Sequence, residues 1–285
     1  MTSLAQNLTK EREFHFTDRD FHRIRQFIQE KTGISLSDAK KNLVYSRLTR
    51  RLRQLNIHKF SDYFDLVTQE GSDELGCFIN AITTNLTAFF REEHHFDYLA
   101  KAILPNLIKA NQQERKIRVW SAGCSTGEEP YSIAMTILET LPSLAGWDIK
   151  VLATDLDTNV VSHAKEGVYD VERIAGLSKT RAQRWFQKGK GSHQGRVKVI
   201  QDVKDLITFK PLNLMETWPM KGGFDVIFCR NVVIYFDKPT QRILFDRYAD
   251  MLKPDSHLFV GHSESLFKVS SRFELLGKTI YRRCN

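Results

Sequence analysis

Apolar residues recur at helical spacing through the first third of the chain. Thr17-Asp18-Arg19-Asp20 reads as a helix start, Phe21, Ile24, Phe27 and Ile28 supply the inward stripe, and Gly33 supplies the stop. Residues 1–16 show no such period and are expected to fray. A second helix follows Ser37 and runs to about Leu55, with Val44, Leu48, Leu52 and Leu55 as its stripe. At about 100° per residue, Arg47, Arg50 and Arg53 fall on the opposite side, with Arg51 at the border. Two further helical segments are predicted near 60–68 and 73–82, and no strand-like run precedes Arg118. The polar and β-branched stretch 84–92, TNLTAFFRE, makes a poor helix interior and reads as a connector. Beyond it a helix over about 94–109 packs Phe96, Leu99, Ala100 and Ile103.

From Arg118 the rhythm changes to strand then helix, the mark of a parallel sheet. Strands are predicted at 117–120, 149–154, 206–210, 224–228 and 258–261, with helices at 128–141, 159–165 and 239–252. Segments 273–276 and 279–282, joined at Gly277-Lys278, read as a closing antiparallel pair. One interval, 167–204, is too long for a simple connection. It contains a helical piece at 180–185, three glycines (Gly189, Gly191, Gly195) and an alternating run, Arg196-Val197-Lys198-Val199-Ile200. It reads as an inserted small β-subdomain, whose edge would suit a peptide added as a strand, or as a decorated loop.

The chemistry concentrates at 119–132, VWSAGCSTGEEPYS. A strand runs into a turn of small residues and then into a helix with Pro130 in its first turn, where a missing N–H costs nothing. Strand, glycine turn and helix open a nucleotide-type crevice. Neither G-x-G-x-x-G nor a glycine followed by Lys-Ser/Thr occurs here. Glu128 and Glu129 stand where a pyrophosphate would need free N–H donors, and they would repel an anion. A cationic nucleoside fits better, and S-adenosylmethionine, with its sulfonium and ammonium, is the obvious one. The other strand ends carry Asp155 and Asp157, Asn213, and Arg230 with Asn231. Asp155 is placed to take ribose hydroxyls and Asn213 to pair with an adenine edge.

Composition narrows the class. The chain has 285 residues, 41% of them hydrophobic, enough for one large domain or a large and a small one. Its formal charge of +8 points to an anionic partner, be it nucleic acid, membrane surface or acidic protein. Cys77, Cys124, Cys229 and Cys284 lie far apart, so neither zinc spacing nor a disulfide framework is indicated. No signal peptide and no bilayer-length apolar run is present, and a soluble cytoplasmic protein is expected. His94 and His95 are adjacent, so their rings are expected to diverge, and no metal is expected.

Four stretches, TNLTAFFRE, VWSAGCSTGEEPYS, ATDLD and FDVIFCRNVVIYFDK, together resemble the chemotaxis receptor methyltransferases, the CheR family. The resemblance covers nearly the whole chain. It implies a class I, Rossmann-like methyltransferase sheet, an all-helical N-terminal domain over 1–84, a connector at 85–95, and a methyltransferase domain at 96–285 carrying the insertion. It implies S-adenosylmethionine as cofactor and chemoreceptor glutamates as acceptors. By the same resemblance Asn85, Thr87, Arg91, Glu129, Asp155, Asn213, Leu214, Arg230 and Asn231 would contact the cofactor, and Tyr235 would lie close to the transferred methyl. Chemistry adds that Arg91 or Arg230 could hold the acceptor carboxylate, but a tight ion pair would weaken the nucleophile, so orientation by Tyr235 is expected with arginine nearby for steering. The row Arg47, Arg50 and Arg53 would dock a receptor's helical bundle, and some members also bind a receptor's C-terminal peptide. No nucleic acid, no membrane insertion and a monomer are implied. Two rivals are a nucleic-acid methyltransferase and a non-catalytic cofactor sensor. Against the first, residues 229–235 lack the proline pair of the base-holding loop; against the second, the strand-end residues are intact.

Overall fold

The computed structural model describes residues 12–141, 143 and 145–284. They form two compact units. One comprises the described residues up to Lys31 together with Ser35–Ile82, and the other comprises Thr32–Ile34 with everything from Thr83 onward.

The first unit is helical. Helix α1 (Asp18–Thr32) begins with a reciprocal cap: the backbone N–H and hydroxyl of Thr17 donate to the Asp20 carboxylate, and the Asp20 N–H donates back to the Thr17 hydroxyl. Helix α2 (Lys41–Leu55) follows a short 3₁₀ turn and ends on Asn56 in the left-handed conformation. Val44, Leu48 and Leu52 of its predicted stripe are buried, while Leu55 at the end of the helix is half-buried. Helices α3 (Phe60–Thr68) and α4 (Glu74–Ile82) complete the unit. The expected fraying is wrong for residues 12–16, and residues 1–11 lie outside the described ones. Phe14 and Phe16 are buried, and both pack on Phe60, with ring centroids 6.4 and 4.4 Å away. Two aromatics two positions apart have no helical period, so pattern alone does not reveal that they are buried.

In the second unit α5 (His94–Tyr98) runs through a π-helical turn, Leu99–Ile103, into α6 (Leu104–Ala110). Then follow β1 (Lys116–Ala122), α7 (Glu128–Thr140), β2 (Asp148–Asp155) and α8 (Thr158–Glu166). The insertion contributes β3 (Val168–Asp170), α9 (Lys179–Trp185), β4 (Phe186–Lys188) and β5 (Arg196–Val199). After α10 (Gln201–Lys204) come β6 (Ile207–Pro211), β7 (Phe224–Cys229), α11 (Lys238–Met251), β8 (Leu252–Val260), β9 (Phe273–Gly277) and β10 (Ile280–Arg283).

The main sheet has the order β6-β2-β1-β7-β8-β10-β9, with β6 through β8 mutually parallel and β10 antiparallel to both its neighbours. Strand β7 is buried at every position, as a strand covered on both faces must be. Alternate side chains feed the two cores: Val119, Val226 and Phe228 on one face, Trp120, Ile227 and Cys229 on the other. Strand order reverses at β1, which places a crevice outside its carboxyl end. Strand β8 starts at Leu252, well before the expected 258, because Asp255 in the left-handed conformation and a register shift hide its early part from a period-2 reading. The insertion is a three-stranded sheet, order β3-β5-β4. Only its central strand, β5, is visible in the sequence; β3 and β4 are three residues each, too short to show alternation. No helix among the described residues is long and apolar enough to cross a membrane.

One buried carboxylate organises the helical unit. Glu74 is 7% exposed and accepts two hydrogen bonds from Arg51 (2.7 and 2.6 Å) and one from the Tyr63 hydroxyl (2.9 Å). Glu74→Ala removes the only acid of this trio and leaves a partly buried guanidinium and a buried phenol facing apolar surroundings. We expect urea denaturation to show a loss of about 2–4 kcal/mol, somewhat under the range for a fully buried pair because Arg51 is partly exposed.

Candidate functional site

The carboxyl ends of β1, β2, β6 and β7 lie at one edge of the sheet, and the loops leaving them are tied to one another by side chains. The β1 turn reaches α7 through Gly127, whose φ of +100° and close neighbours (an added Cβ would lie 2.9 Å from both Ala164 Cβ and Tyr169 Oη) admit no side chain. At the head of α7, Glu129 is 7% exposed; it accepts from the Ser121 hydroxyl at 2.7 Å and from Arg230 Nη1 at 3.1 Å. Arg230, at the end of β7, also donates to the carbonyl of Arg91 and lies 3.4 Å from Glu92 Oε2. One guanidinium thus joins the end of a strand, the start of a helix and the connector.

The electrostatics of its two acids differ. Burial raises the Glu129 carboxyl, and Arg230 and Ser121 only partly offset this. Glu92 is also pushed up by burial, but Arg230 and His262 outweigh it and leave the carboxyl below its usual value. His95, fully buried, is depressed to about 4 by burial and by Arg230, so it is neutral at pH 7.

The connector is pinned along its length. Asn85 Nδ2 donates to Asp157 Oδ2 at 2.8 Å, and its carbonyl accepts from the Ser125 hydroxyl at 3.1 Å. The Thr87 carbonyl accepts from Arg173 at 2.9 Å, the Phe90 N–H donates to Ser132 Oγ at 2.9 Å, and Arg91 Nη1 donates to the Leu86 carbonyl at 3.0 Å. Asp155 accepts from the Ser125 and Asp157 N–H groups at 2.7 and 3.0 Å, and burial raises its carboxyl. Asn213 closes an Asx-type turn onto the Met215 N–H at 3.0 Å, with Leu214 buried beside it. Asn231 sits at φ +59°, and Tyr235 ends the 3₁₀ turn Val233–Tyr235, half-buried.

Three expectations need correction. Glu128 and Glu129 do not line the crevice as bare acids: Glu128 is fully buried against Arg173, and Glu129 against Arg230. Burial sets each beside a cation, Glu128 beside Arg173 and Glu129 beside the Arg230 it shares with Glu92. Arg230, its side chain 2% exposed and held by two acids, has no freedom to grip an acceptor carboxylate. The rings of His94 and His95 do not diverge; their centroids are 4.2 Å apart, because the imidazoles fold together although their Cβ directions differ. Ligand atoms of Glu92, His94 and His95 even lie within 4.8 Å of one another, but Arg230 already supplies the cation at Glu92.

The helical arginines are placed unequally. Arg50 is exposed, Arg53 is exposed and pairs with Glu13, and Arg47 is half-buried, donating to the Ile82 carbonyl at 2.6 Å. Glu92, Arg173, His262 and Glu264 were missed by sequence reasoning. Glu264, in the turn after β8, could have been found by extending the strand-end rule to the fifth strand.

Residues 85–282 match the family model described as CheR methyltransferase, SAM binding domain, and residues 19–83 match CheR methyltransferase, all-alpha domain. The chain belongs to the CheR methyltransferase family. It is 44% identical over 282 residues to chemotaxis protein methyltransferase 2 of Pseudomonas aeruginosa, covering 98% of each chain. It is 45% identical to the chemotaxis protein methyltransferase of Escherichia coli, covering 98% of this chain and 95% of that one. To the Klebsiella aerogenes protein of the same name it is 47% identical, covering 93% and 89%. S-adenosylmethionine is accordingly the cofactor of this family member, and the small-residue turn after β1 with a carboxylate after β2 fits its nucleoside.

Arg230→Ala should leave two buried carboxylates without their cation. Glu129, already raised by burial, then rises further above its unfolded value while Glu92 keeps only its histidine partners against burial, so the cost appears as pH rises through the ordinary carboxylate value near 4.3. We expect urea denaturation to show little difference from the parent near pH 4 and a loss of about 3–5 kcal/mol at pH 7.

Proposed function

We propose that the protein transfers the methyl group of S-adenosylmethionine to glutamate side chains on the cytoplasmic helical bundle of chemoreceptors, giving methyl esters. The observation that carries this reading is the convergence of the connector, Glu129, Asp155, Asn213 and the Arg230–Tyr235 loop on one edge of the sheet. When bound, the cofactor supplies an electrophilic methyl on a sulfonium. An acceptor glutamate, with an ordinary pKa near 4.3, is already ionised at neutral pH and needs no general base. The protein's part is alignment and exclusion of water, worth up to about 7–11 kcal/mol of barrier.

Residue roles follow from pairing and exposure. Asp155 is assigned to the ribose hydroxyls and Asn213 with Leu214 to the adenine. Asn85, Thr87, Glu129, Arg230 and Asn231 surround the remainder of the cofactor, Arg230 by fixing Glu129 and the Arg91 carbonyl. Arg91, half-exposed and anchored by a single bond to the Leu86 carbonyl, is the arginine left to steer the acceptor. Tyr235 orients the attacking carboxylate with a hydroxyl, which weakens the nucleophile less than an ion pair does. Arg50, with Arg47 and Arg53, docks the acidic receptor helices, and an edge of the β3-β5-β4 sheet suits a receptor C-terminal peptide added as a strand.

Incubation with methyl-labelled cofactor and either a receptor cytoplasmic fragment or nucleic acid tests the reading. Base-labile label on the receptor is expected; label on nucleic acid, or none on either, overturns it. Tyr235→Phe is expected to lower kcat by about tenfold or more while leaving S-adenosylhomocysteine affinity near the parent's, and unchanged turnover would remove that role. Alanine at Arg47, Arg50 and Arg53 together should leave cofactor binding intact and impair receptor methylation. The gap from the parent should narrow as salt rises; equal methylation at low salt would end the docking role.

A further inference from the structure

The turn after β8 reaches the reaction loop without belonging to it. Glu264 is 4% exposed, and its carboxylate accepts the backbone N–H of Asn231 at 2.9 Å, of Ile234 at 3.2 Å, and of Gly261 in its own turn. Asn231 is in the left-handed conformation, and an N–H bonded on either side of the bend fixes its shape. Gly261 lies so close that a Cβ there would overlap the Asn231 side chain and come within 2.9 Å of its backbone nitrogen. The next residue, His262, donates from its backbone N–H (3.3 Å) to Glu92 Oε1, and its Nδ1 lies 3.0 Å from the same oxygen. Glu92 is the acid paired with Arg230. One four-residue turn therefore grips both ends of the segment from Arg230 to Tyr235.

We propose that Glu264 is a positioning residue for methyl transfer: its carboxylate gathers the N–H groups of the loop after β7 and so sets where Tyr235 and Asn231 stand relative to the cofactor and acceptor. A role in stability alone does not account for it. Burial lifts the Glu264 carboxyl, and the backbone N–H groups of Gly261, Asn231, Ile234 and Val233 only partly offset this. A folded pKa above the unfolded one means that the ionised group costs stability, increasingly so as pH rises from the ordinary carboxylate value through the raised one. What the carboxylate brings is the shape of the loop, through its bonds to the Asn231 and Ile234 N–H groups.

Glu264→Gln keeps the volume but turns an NH₂ group toward N–H donors. With a receptor fragment as acceptor, we expect kcat to fall between about tenfold and a hundredfold, the scale of an ångström-sized misplacement. The variant should remain folded, with the circular dichroism of the parent. The acid limb of the parent's kcat profile, set by a carboxyl above the usual range, should be absent in the variant. Glu264→Asp, retaining the charge on a shorter arm, should recover part of the lost turnover. Parental kcat in a folded Glu264→Gln protein overturns the proposal, as does a loss of kcat in both variants matched by an equal loss of Tm. The inference rests on the reaction proposed above; a parent that methylates no receptor fragment would sink that reading, whereas parental kcat in Glu264→Gln would sink only this one.

Discussion

A single buried guanidinium, Arg230, sets the geometry of the crevice. Two carboxylates taken out of water, Glu92 and Glu129, share this one cation. They come from different places, the connector and the head of α7, while Arg230 ends β7. The requirement to pair buried charge therefore fixes three separate backbone segments against one another. Removing Arg230 takes from both acids the guanidinium that joins them. The opposite shifts of the two acids, Glu92 down and Glu129 up, follow from how much of the guanidinium and of other donors each receives against its own burial.

Rigidity suits the chemistry. A carboxylate attacking a methyl sulfonium needs no proton removed and no metal to polarise it; it needs the two partners aligned and water kept out. The groups around the crevice serve that end by holding backbone in place: Asp157 on Asn85, Arg173 on Thr87, Ser132 on Phe90, Glu264 on Asn231 and Ile234. Few of these touch a ligand by necessity. Much of the polar content of the site goes into loop shape, while Arg91 and Tyr235 are half-buried.

The alternation of strand and helix after Arg118, the β1 turn and the strand-end polar residues were all legible, because period and position at a strand end are local properties of the sequence. Pairings were not. Glu128 looked like a bare acid until Arg173, forty-five positions later, was found against it. Arg230 looked available for an acceptor because nothing local shows that two acids enclose it. Phe14 and Phe16 looked frayed because burial against Phe60 is a tertiary event without a sequence period. The strands β3 and β4 were hidden by their length, and Glu264 by the habit of stopping at four strand ends. Polar residues at strand ends are recognisable by place and type, whereas those that hold them are recognisable only once the chain is folded.

The most direct test of the central claim is calorimetric binding of S-adenosylhomocysteine to Arg230→Met, a variant that keeps the bulk of the side chain and loses its charge. If Arg230 shapes the crevice, affinity falls by at least about tenfold, or 1.4 kcal/mol, in a protein whose circular dichroism remains that of the parent. Parental affinity in that folded variant would contradict the account.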